Sequence, residues 1–218
     1  MRKMRIILSI LTLSASIACT CFGTETSGSL WSGDNLYKFG TVNGTTYENE
    51  MLGYGVELPS GWIFEDEESI AEKNQFGEEA MSEELVEQIK EAGNIIDMSA
   101  VNALGTQNIS VQFLNTPNIY GEGFAMLVTP DRVTDILIED LESTLEISGY
   151  ENLSVEKAEY TISGDPITGI KVTGTLYGID VYQDMLVTKP NNLYLAMITI
   201  TSFITDDGEE IISRFYKL

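Results

Sequence analysis

Residues 193–203 have the sequence Leu-Tyr-Leu-Ala-Met-Ile-Thr-Ile-Thr-Ser-Phe, and this stretch decides the fold. It is apolar at both odd and even positions, which is typical of a strand covered on both faces. Such a strand needs neighbours within its sheet and a layer of structure on each side. The sequence therefore predicts a central strand over residues 193–203, covered by the segments around it.

Two alternating segments precede this strand. Apolar and polar residues alternate over 170–176 and again over 179–187, and residues 189–192 (Lys-Pro-Asn-Asn) have the composition of a turn. Strands joined by such short connections pair antiparallel. Further upstream, alternation over 109–113 predicts another strand.

Three other segments have helical patterns. The clearest follows Thr129, a potential N-cap, with Pro130 at the first position and Gly149 as the stop. Its predicted apolar stripe is Val133, Ile136, Leu137, Leu141 and Leu145. An acidic helix is predicted over residues 82–92. A short terminal helix is predicted after Asp206 or Asp207, with Ile211, Ile212 and Phe215 facing inward. Because the helices do not alternate with the strands, the predicted class is α+β, an antiparallel β-sheet flanked by helices.

The N-terminus has the organisation of an export signal. Residues 1–18 combine a basic start with an apolar stretch too short to span a bilayer. Residues 16–19 (Ser-Ile-Ala-Cys) resemble a bacterial lipobox, which implies lipidation of Cys19, although families with this signal usually have an aliphatic residue where Ser16 stands. Ordinary cleavage after Ala18 or Gly23 is the alternative. We predict a flexible spacer over residues 19–43 and a single α+β domain over 44–218.

Residues 53–62, Gly-Tyr-Gly-Val-Glu-Leu-Pro-Ser-Gly-Trp, predict a strand that ends in a turn. They resemble the opening of PsbP and Mog1-like domains, where an aromatic strand runs into Pro-x-x-Trp. The resemblance would cover residues 44–218 and implies protein binding rather than catalysis. The chain is also similar to uncharacterised exported lipoproteins of Gram-positive gut bacteria, in which Tyr-x-Asn, here Tyr47-Glu48-Asn49, precedes that strand. We expect structural roles for Pro59, at the strand end, and Trp62, in the core.

Composition excludes several chemistries. The chain has no histidine, and its two cysteines, Cys19 and Cys21, lie at the predicted processing site. This excludes imidazole bases, Ser-His-Asp and Cys-His nucleophiles, and His-ligated zinc or haem. Without residues 1–18, 9 basic residues oppose 34 acidic ones, a formal charge of −25. Such a charge repels phosphate backbones and anionic lipids, so we expect no nucleic-acid partner and membrane contact only through a lipid anchor.

Carboxylates are the remaining candidates for chemistry. Asp180 and Asp184, with Tyr182 between them, come closest to a catalytic pair, but we expect them to face solvent. Residues 65–68 and 206–210 are acidic runs that could hold calcium, yet neither has EF-hand spacing, and helix starts explain both. Residues 121–123 (Gly-Glu-Gly) lack the rest of a phosphate loop and are interpreted as an ordinary loop.

The sequence therefore predicts a non-enzymatic, extracytoplasmic binding module for a protein or a small envelope ligand. It predicts no catalytic residue, no cofactor and no metal. The alternative is a carboxylate-based hydrolase acting on envelope or dietary glycan, which would need a concave pocket with two partly buried carboxylates and aromatic walls. A calcium-responsive adhesin is a third possibility.

Overall fold

The structure, a computed structural model, describes residues 37–74, 93–117 and 127–218. Within these residues the chain forms two antiparallel sheets and three helices. In chain order the elements are β1 (Thr41–Asn43), β2 (Thr46–Asn49), β3 (Tyr54–Glu57), β4 (Trp62–Phe64), α1 (Glu67–Asn74), β5 (Asn94–Asn102), β6 (Gln107–Asn115), α2 (Pro130–Ile147), β7 (Tyr150–Ile162), β8 (Asp165–Leu176), β9 (Ile179–Thr188), β10 (Tyr194–Phe203), α3 (Gly208–Ile212) and β11 (Phe215–Lys217). This confirms the predicted α+β class.

The larger sheet is built around β10. Its strand order is β4–β5–β6–β10–β9–β8–β7, so β10 is the middle strand of seven. It pairs with β6 from Tyr194 to Ser202 and with β9 from Ala196 to Phe203, and all ten of its residues are buried. The prediction of a central strand from the apolar run is confirmed.

Each face of this sheet has its own core. On one face, α2 packs Leu141 and Leu145 against Ile170, Val172 and Met185 of β8 and β9. On the other face, the smaller sheet, of order β1–β2–β3–β11, closes over the larger one together with α3. The core between the sheets includes Tyr47, Val56, Ile95, Phe113, Ile198, Ile211 and Phe215.

The ends of α2 form as the sequence predicts. The Thr129 hydroxyl accepts a hydrogen bond from the Arg132 amide at 3.3 Å, Pro130 occupies the first position, and Gly149 follows with a φ of +91°. The prediction of the apolar stripe is wrong for one residue, Ile136, whose side chain is exposed. The buried face is narrower than the apolar pattern suggested.

The end of the chain differs from the prediction. The terminal helix α3 ends at Ile212, and Phe215 instead begins the strand β11, which pairs with β3 through Phe215 and Val56. Asp207 is the N-cap residue of α3, but its side chain makes no capping hydrogen bond. The chain end forms a strand because the edge of β3 offers it backbone partners, which the local sequence does not reveal.

The described fold also begins before the predicted boundary at residue 44. β1 pairs with β2, with Thr41 opposite Glu48, and the Tyr37 ring packs edge-on against Phe113 with centroids 5.2 Å apart. Residues 37–43 are therefore part of the fold rather than of the spacer. The predicted signal peptide (residues 1–18), the two cysteines, the acidic helix (82–92) and the loop at 121–123 lie outside the described residues.

The Pro-x-x-Trp segment forms the turn between the two sheets. The Trp62 amide donates to the Pro59 carbonyl at 3.2 Å, and β4 starts at Trp62. The Trp62 side chain is partly buried and packs against the core between the sheets. No helix among the described residues is long and apolar enough to cross a membrane.

Candidate functional site: a cavity beside a buried aspartate

Asp97 is a buried carboxylate in the middle of β5. The register between β5 and β6 shifts between Ile96 and Met98, so Asp97 is the extra residue of a bulge. A bulge redirects a side chain that would otherwise follow the strand alternation. Here it allows Ile95 and Met98 to enter the core while Asp97 faces the N-terminal segment.

Four groups donate hydrogen bonds to this carboxylate. Oδ1 accepts from the Tyr37 hydroxyl and, at 3.2 Å, from the Gly40 amide. Oδ2 accepts from the Tyr47 hydroxyl, from the Asn49 side-chain amide at 3.0 Å and from the Gly40 amide at 3.0 Å. An ionised carboxylate offers about four lone-pair sites, so these donors occupy its accepting capacity.

The Tyr-x-Asn motif thereby acquires a physical role. Tyr47 and Asn49 lie two residues apart on β2, so their side chains point to the same face of the strand, and both reach Asp97. Asn49 also donates to the Lys38 carbonyl at 3.1 Å. The motif connects the smaller sheet, the larger sheet and the segment before β1.

Gly40 is the residue that lets this segment approach. A Cβ at this position would lie 2.3 Å from the Tyr47 ring and 2.7 Å from Asp97 Oδ2. Real Cβ atoms do not come this close to other atoms. Any larger residue would displace the Gly40 amide from the carboxylate and change the shape of the surface next to it.

Burial and hydrogen bonding act in opposite directions on this cluster. Burial raises the pKa of Asp97, and the hydrogen bonds from Tyr37, Tyr47, Asn49 and Gly40 only partly offset that effect. Burial and the adjacent carboxylate raise the pKa of Tyr37 and of Tyr47 well above the usual range. Both phenols therefore remain protonated donors at neutral pH.

A cavity of about 670 Å³ opens beside this cluster, between the segment around β1, the helix α1 and the strand β5. Its apolar lining consists of Phe39, Val42, Phe64, Ile70, Ala71 and Met98. Its carboxylates are Glu65, Asp66, Glu67 and Asp97. None of the described residues that line it is basic. The cavity thus combines apolar walls with a strongly negative rim.

The rim carboxylates differ in their partners. Lys73 forms an ion pair with Glu65. The Ser69 amide donates to Asp66 at 2.9 Å, and hydrogen bonds from Ser69 lower the pKa of Asp66, so this carboxylate caps α1. The Glu67 side chain has no hydrogen bond or ion pair to another described residue. One rim carboxylate therefore remains available to a ligand.

The predicted carboxylate pair does not form. Asp180 is exposed and accepts from the Thr175 hydroxyl at 3.3 Å, whereas Asp184 is buried, contrary to the expectation that both face solvent. Four residues along one strand separate them by about 13 Å. Tyr160, not Tyr182, donates to Asp184, at 2.8 Å. The pairing of β7, β8 and β9 brings Tyr160 to this position, which no local pattern predicts.

Asp184 instead connects the sheet to the terminal helix. Lys171 lies 3.9 Å from Asp184 and 2.7 Å from Asp206. A Cβ on Gly208 would lie only 1.8 Å from Asp184 Oδ2, so glycine is needed where α3 begins. Burial raises the pKa of Asp184, whereas the Tyr160 hydrogen bond and Lys171 lower it and Asp206 and Glu209 raise it.

The two acidic runs begin helices. Residues 65–68 precede and start α1, and residues 206–210 precede and start α3. Among the residues that the structure describes, no group of three or more carboxylates is arranged to hold a metal ion. The interpretation of both runs as helix starts is confirmed.

Sequence analysis missed the cavity and its aspartate. The run at residues 94–102 was not recognised as a strand because the bulge at Asp97 breaks its alternation. The available signal was a single Asp inside an otherwise apolar stretch (Ile95-Ile96-Asp97-Met98). A charge in such a position needs partners, but only the fold shows that Tyr37 and Tyr47 supply them.

No protein-family model matches the chain, and no curated protein matches it. Among solved structures, a protein from Bacteroides thetaiotaomicron VPI-5482 is similar with 12% identity and a TM-score of 0.41, over 81% of this chain and 49% of that one. This chain thus spans about half the length of that protein. LpqN of Mycobacterium tuberculosis, which is involved in cell envelope biogenesis, is similar with 10% identity and a TM-score of 0.37, over 73% of this chain and 75% of that one. The resemblance to PsbP and Mog1-like domains stays a prediction.

We predict that Asp97→Ala lowers the free energy of unfolding by at least about 3 kcal/mol. The substitution leaves two phenols and two amides without their acceptor, and each unsatisfied buried group costs about 1–3 kcal/mol. Urea unfolding measures the loss. The control is Asp180→Ala at an exposed site, where about 0.5 kcal/mol or less is expected. Equal losses in the two variants would contradict the role assigned to Asp97.

We also predict a pH-dependent difference between the protein and its Asp184→Asn variant. Because burial raises the folded-state pKa of Asp184 above its unfolded value, ionisation of this carboxyl group opposes folding. The stability that the protonated carboxyl group contributes is therefore present below about pH 4 and is lost as pH rises through the raised pKa. Relative to the unmodified protein, the variant should gain stability as pH rises from 4 to 8. Urea unfolding of both proteins across this range measures the trend. A trend of opposite sign would mean that Lys171 and Tyr160 outweigh burial.

Proposed function

We propose that this chain is a non-enzymatic binding domain whose cavity accepts a small organic cation with an apolar body. The observation that carries the proposal is the combination, in one cavity, of apolar walls with a rim carboxylate, Glu67, that has no cationic partner among the described residues. Its volume of about 670 Å³ lies within the range of about 300–1,000 Å³ that is typical of small-molecule sites. Phe39 and Phe64 provide aromatic surface for an apolar group.

Charge selects the ligand class. Glu67 lacks a cationic partner among the described residues, while Glu65 already has Lys73. The whole chain adds a long-range negative potential, which concentrates cations and repels anions. An ammonium or guanidinium group at the rim, with its hydrocarbon portion against Met98 and Ile70, satisfies both parts of the lining.

We favour binding over hydrolysis because of the state of Asp97. Its two oxygens already accept hydrogen bonds from Tyr37, Tyr47, Asn49 and Gly40, which supports a structural role rather than that of an acid, base or nucleophile. The carboxylate hydrolase is the second candidate, since carboxylates and aromatic walls do occur together in the cavity. Turnover of aryl glycosides that is abolished by Glu67→Gln would favour the hydrolase.

The location proposed for this domain is extracytoplasmic, with Cys19 as a lipid anchor or with simple secretion as the alternative. The basic start, the short apolar segment and the Ser-Ile-Ala-Cys sequence support export. An exported domain would bind cationic ligands outside the cytoplasm, without their having to cross the membrane. The negative charge of the mature chain suits that ligand class.

We predict that n-hexylammonium binds the cavity and that n-hexanol and n-hexanoate bind more weakly, in that order. The three share one apolar chain and differ in charge, so their ranking isolates the effect of the rim. Titration followed by two-dimensional NMR should shift the amides of Thr41, Ile70 and Met98. A ranking with hexanoate first would contradict the ligand class, and no shift with any probe would contradict a binding function for the cavity.

Two variants locate this binding. Ala71→Phe should fill the cavity and weaken n-hexylammonium binding at least about tenfold, because the added ring occupies the ligand volume. Glu67→Gln should weaken it about two- to fivefold, the range for one exposed ion pair. The matched control is Glu72→Gln, which removes a charge from α1 at an exposed position outside the lining.

We predict that the native protein begins at a diacylated Cys19. Mass measurement of the N-terminal peptide from the envelope fraction tests this, and Cys19→Ser should release the protein into the medium. An unmodified N-terminus after Ala18 or Gly23 would establish secretion instead. Detection of the protein in the cytosol with residues 1–18 still attached would contradict export altogether.

A further inference from the structure

One end of the seven-stranded sheet exposes four large apolar side chains. Leu104 lies in the turn between β5 and β6, Ile147 at the end of α2, Tyr177 in the turn between β8 and β9, and Ile204 just after β10. Their exposed fractions are 78%, 87%, 67% and 65%. We call these four residues the apolar end patch. None of them lines the cavity.

Strand pairing makes the four positions neighbours. The Phe203 amide donates to Thr106, so the end of β10 lies beside the turn that carries Leu104. The Ile204 amide donates to the Asp180 carbonyl at 2.9 Å, which places Ile204 beside β9 and its turn. At the far side, Tyr150 pairs with Leu176, so the end of α2 adjoins Tyr177. Since neighbouring strands are about 5 Å apart, the four positions follow one another along this end of the sheet.

Two members of the patch occupy backbone positions that do not suit them. Tyr177 has a φ of +52° and Ile204 a φ of +78°. Left-handed backbone favours glycine or asparagine, and a β-branched residue there is a rare exception. The hairpin between β7 and β8 has the same turn geometry with a small residue, Ser163, at the position equivalent to Tyr177. Local stability therefore does not explain the large apolar residues at the patch.

The surroundings of the patch are acidic. The four segments that form it, residues 102–106, 146–151, 176–180 and 203–207, contain five Asp or Glu and no Lys or Arg. Asp206 is paired with Lys171 at 2.7 Å, whereas Glu146, Glu151 and Asp207 are exposed without an ion pair to a described residue. This rim opposes self-association through the patch and repels anionic lipids. It favours a surface of opposite charge.

We propose that the apolar end patch is a docking surface for a protein whose contact face is apolar at its centre and basic at its rim. An exposed apolar row with a polar rim is the general form of a protein interface. The unfavourable backbone at Tyr177 and Ile204 fits this role, because strained positions persist where the side chain serves binding. The turn with Leu104 follows the end of β5, which lies four residues or about 13 Å beyond Met98 of the cavity lining.

The test uses a designed 18-residue helical peptide of leucine and lysine, with all leucines on one face, as a probe with the stated chemistry. Fluorescence anisotropy at physiological ionic strength should show saturable binding to the intact protein. The double variant Tyr177→Asn with Ile204→Asn should weaken binding at least tenfold. Its free energy of unfolding should equal or exceed that of the unmodified protein, because asparagine suits both backbone positions.

Matched controls distinguish peptide binding at the apolar end patch from non-specific binding of a cationic peptide to an acidic protein. The variant Ile63→Ser with Leu127→Ser removes two side chains of similar exposure, 62% and 61%, outside the patch and should bind as the unmodified protein does. A scrambled peptide of the same composition should bind at least tenfold more weakly. The proposal would be overturned if the scrambled peptide bound as tightly as the designed one. It would also be overturned if the asparagine double variant bound the designed peptide as tightly as the unmodified protein does. A lower free energy of unfolding in the double variant would overturn it as well. A dimer of the unmodified protein in sedimentation experiments that the double variant abolishes would instead assign the patch to a second copy of the chain.

Discussion

Burial of β10 on both faces is the constraint on which the rest of the structure depends. A strand with ten buried residues must have a cover on each side of its sheet. The helix α2 provides one cover through its narrow apolar face, and the smaller sheet provides the other. The smaller sheet is in turn completed by β11 from the chain end, so the N-terminal and C-terminal segments meet over the same face.

The buried carboxylate of Asp97 connects the segment before β1 to the larger sheet. Its burial is unfavourable for an ion, and four donor groups from two parts of the chain, the segment before β1 and the strand β2, offset that cost. The same donors hold the segment before β1 against β5, and the cavity lies in the space beside that segment. The shape of the candidate site therefore depends on a carboxylate that has no lone pair left for chemistry.

The cavity and the apolar end patch suit different kinds of partner, yet both depend on the acidity of the chain. In the cavity, carboxylates border apolar walls in an enclosed space suited to a small molecule. At the patch, carboxylates surround exposed apolar side chains, an arrangement suited to binding another protein. None of the four patch residues lines the cavity, so occupation of one surface does not remove a contact residue of the other. Both proposals assign recognition to this domain, at two separate surfaces.

The sequence by itself determined the elements whose signals are local. The apolar run gave β10, Thr129, Pro130 and Gly149 defined α2, and the missing side chains excluded whole classes of catalyst. The candidate site could not be predicted, because Tyr37 and Asp97 are 60 residues apart and their contact arises only when two sheets close on each other. For the same reason β11 and the burial of Asp184 went unrecognised. Pairing and burial are set by the distant parts of the chain that supply partners, and tertiary structure alone decides which parts those are.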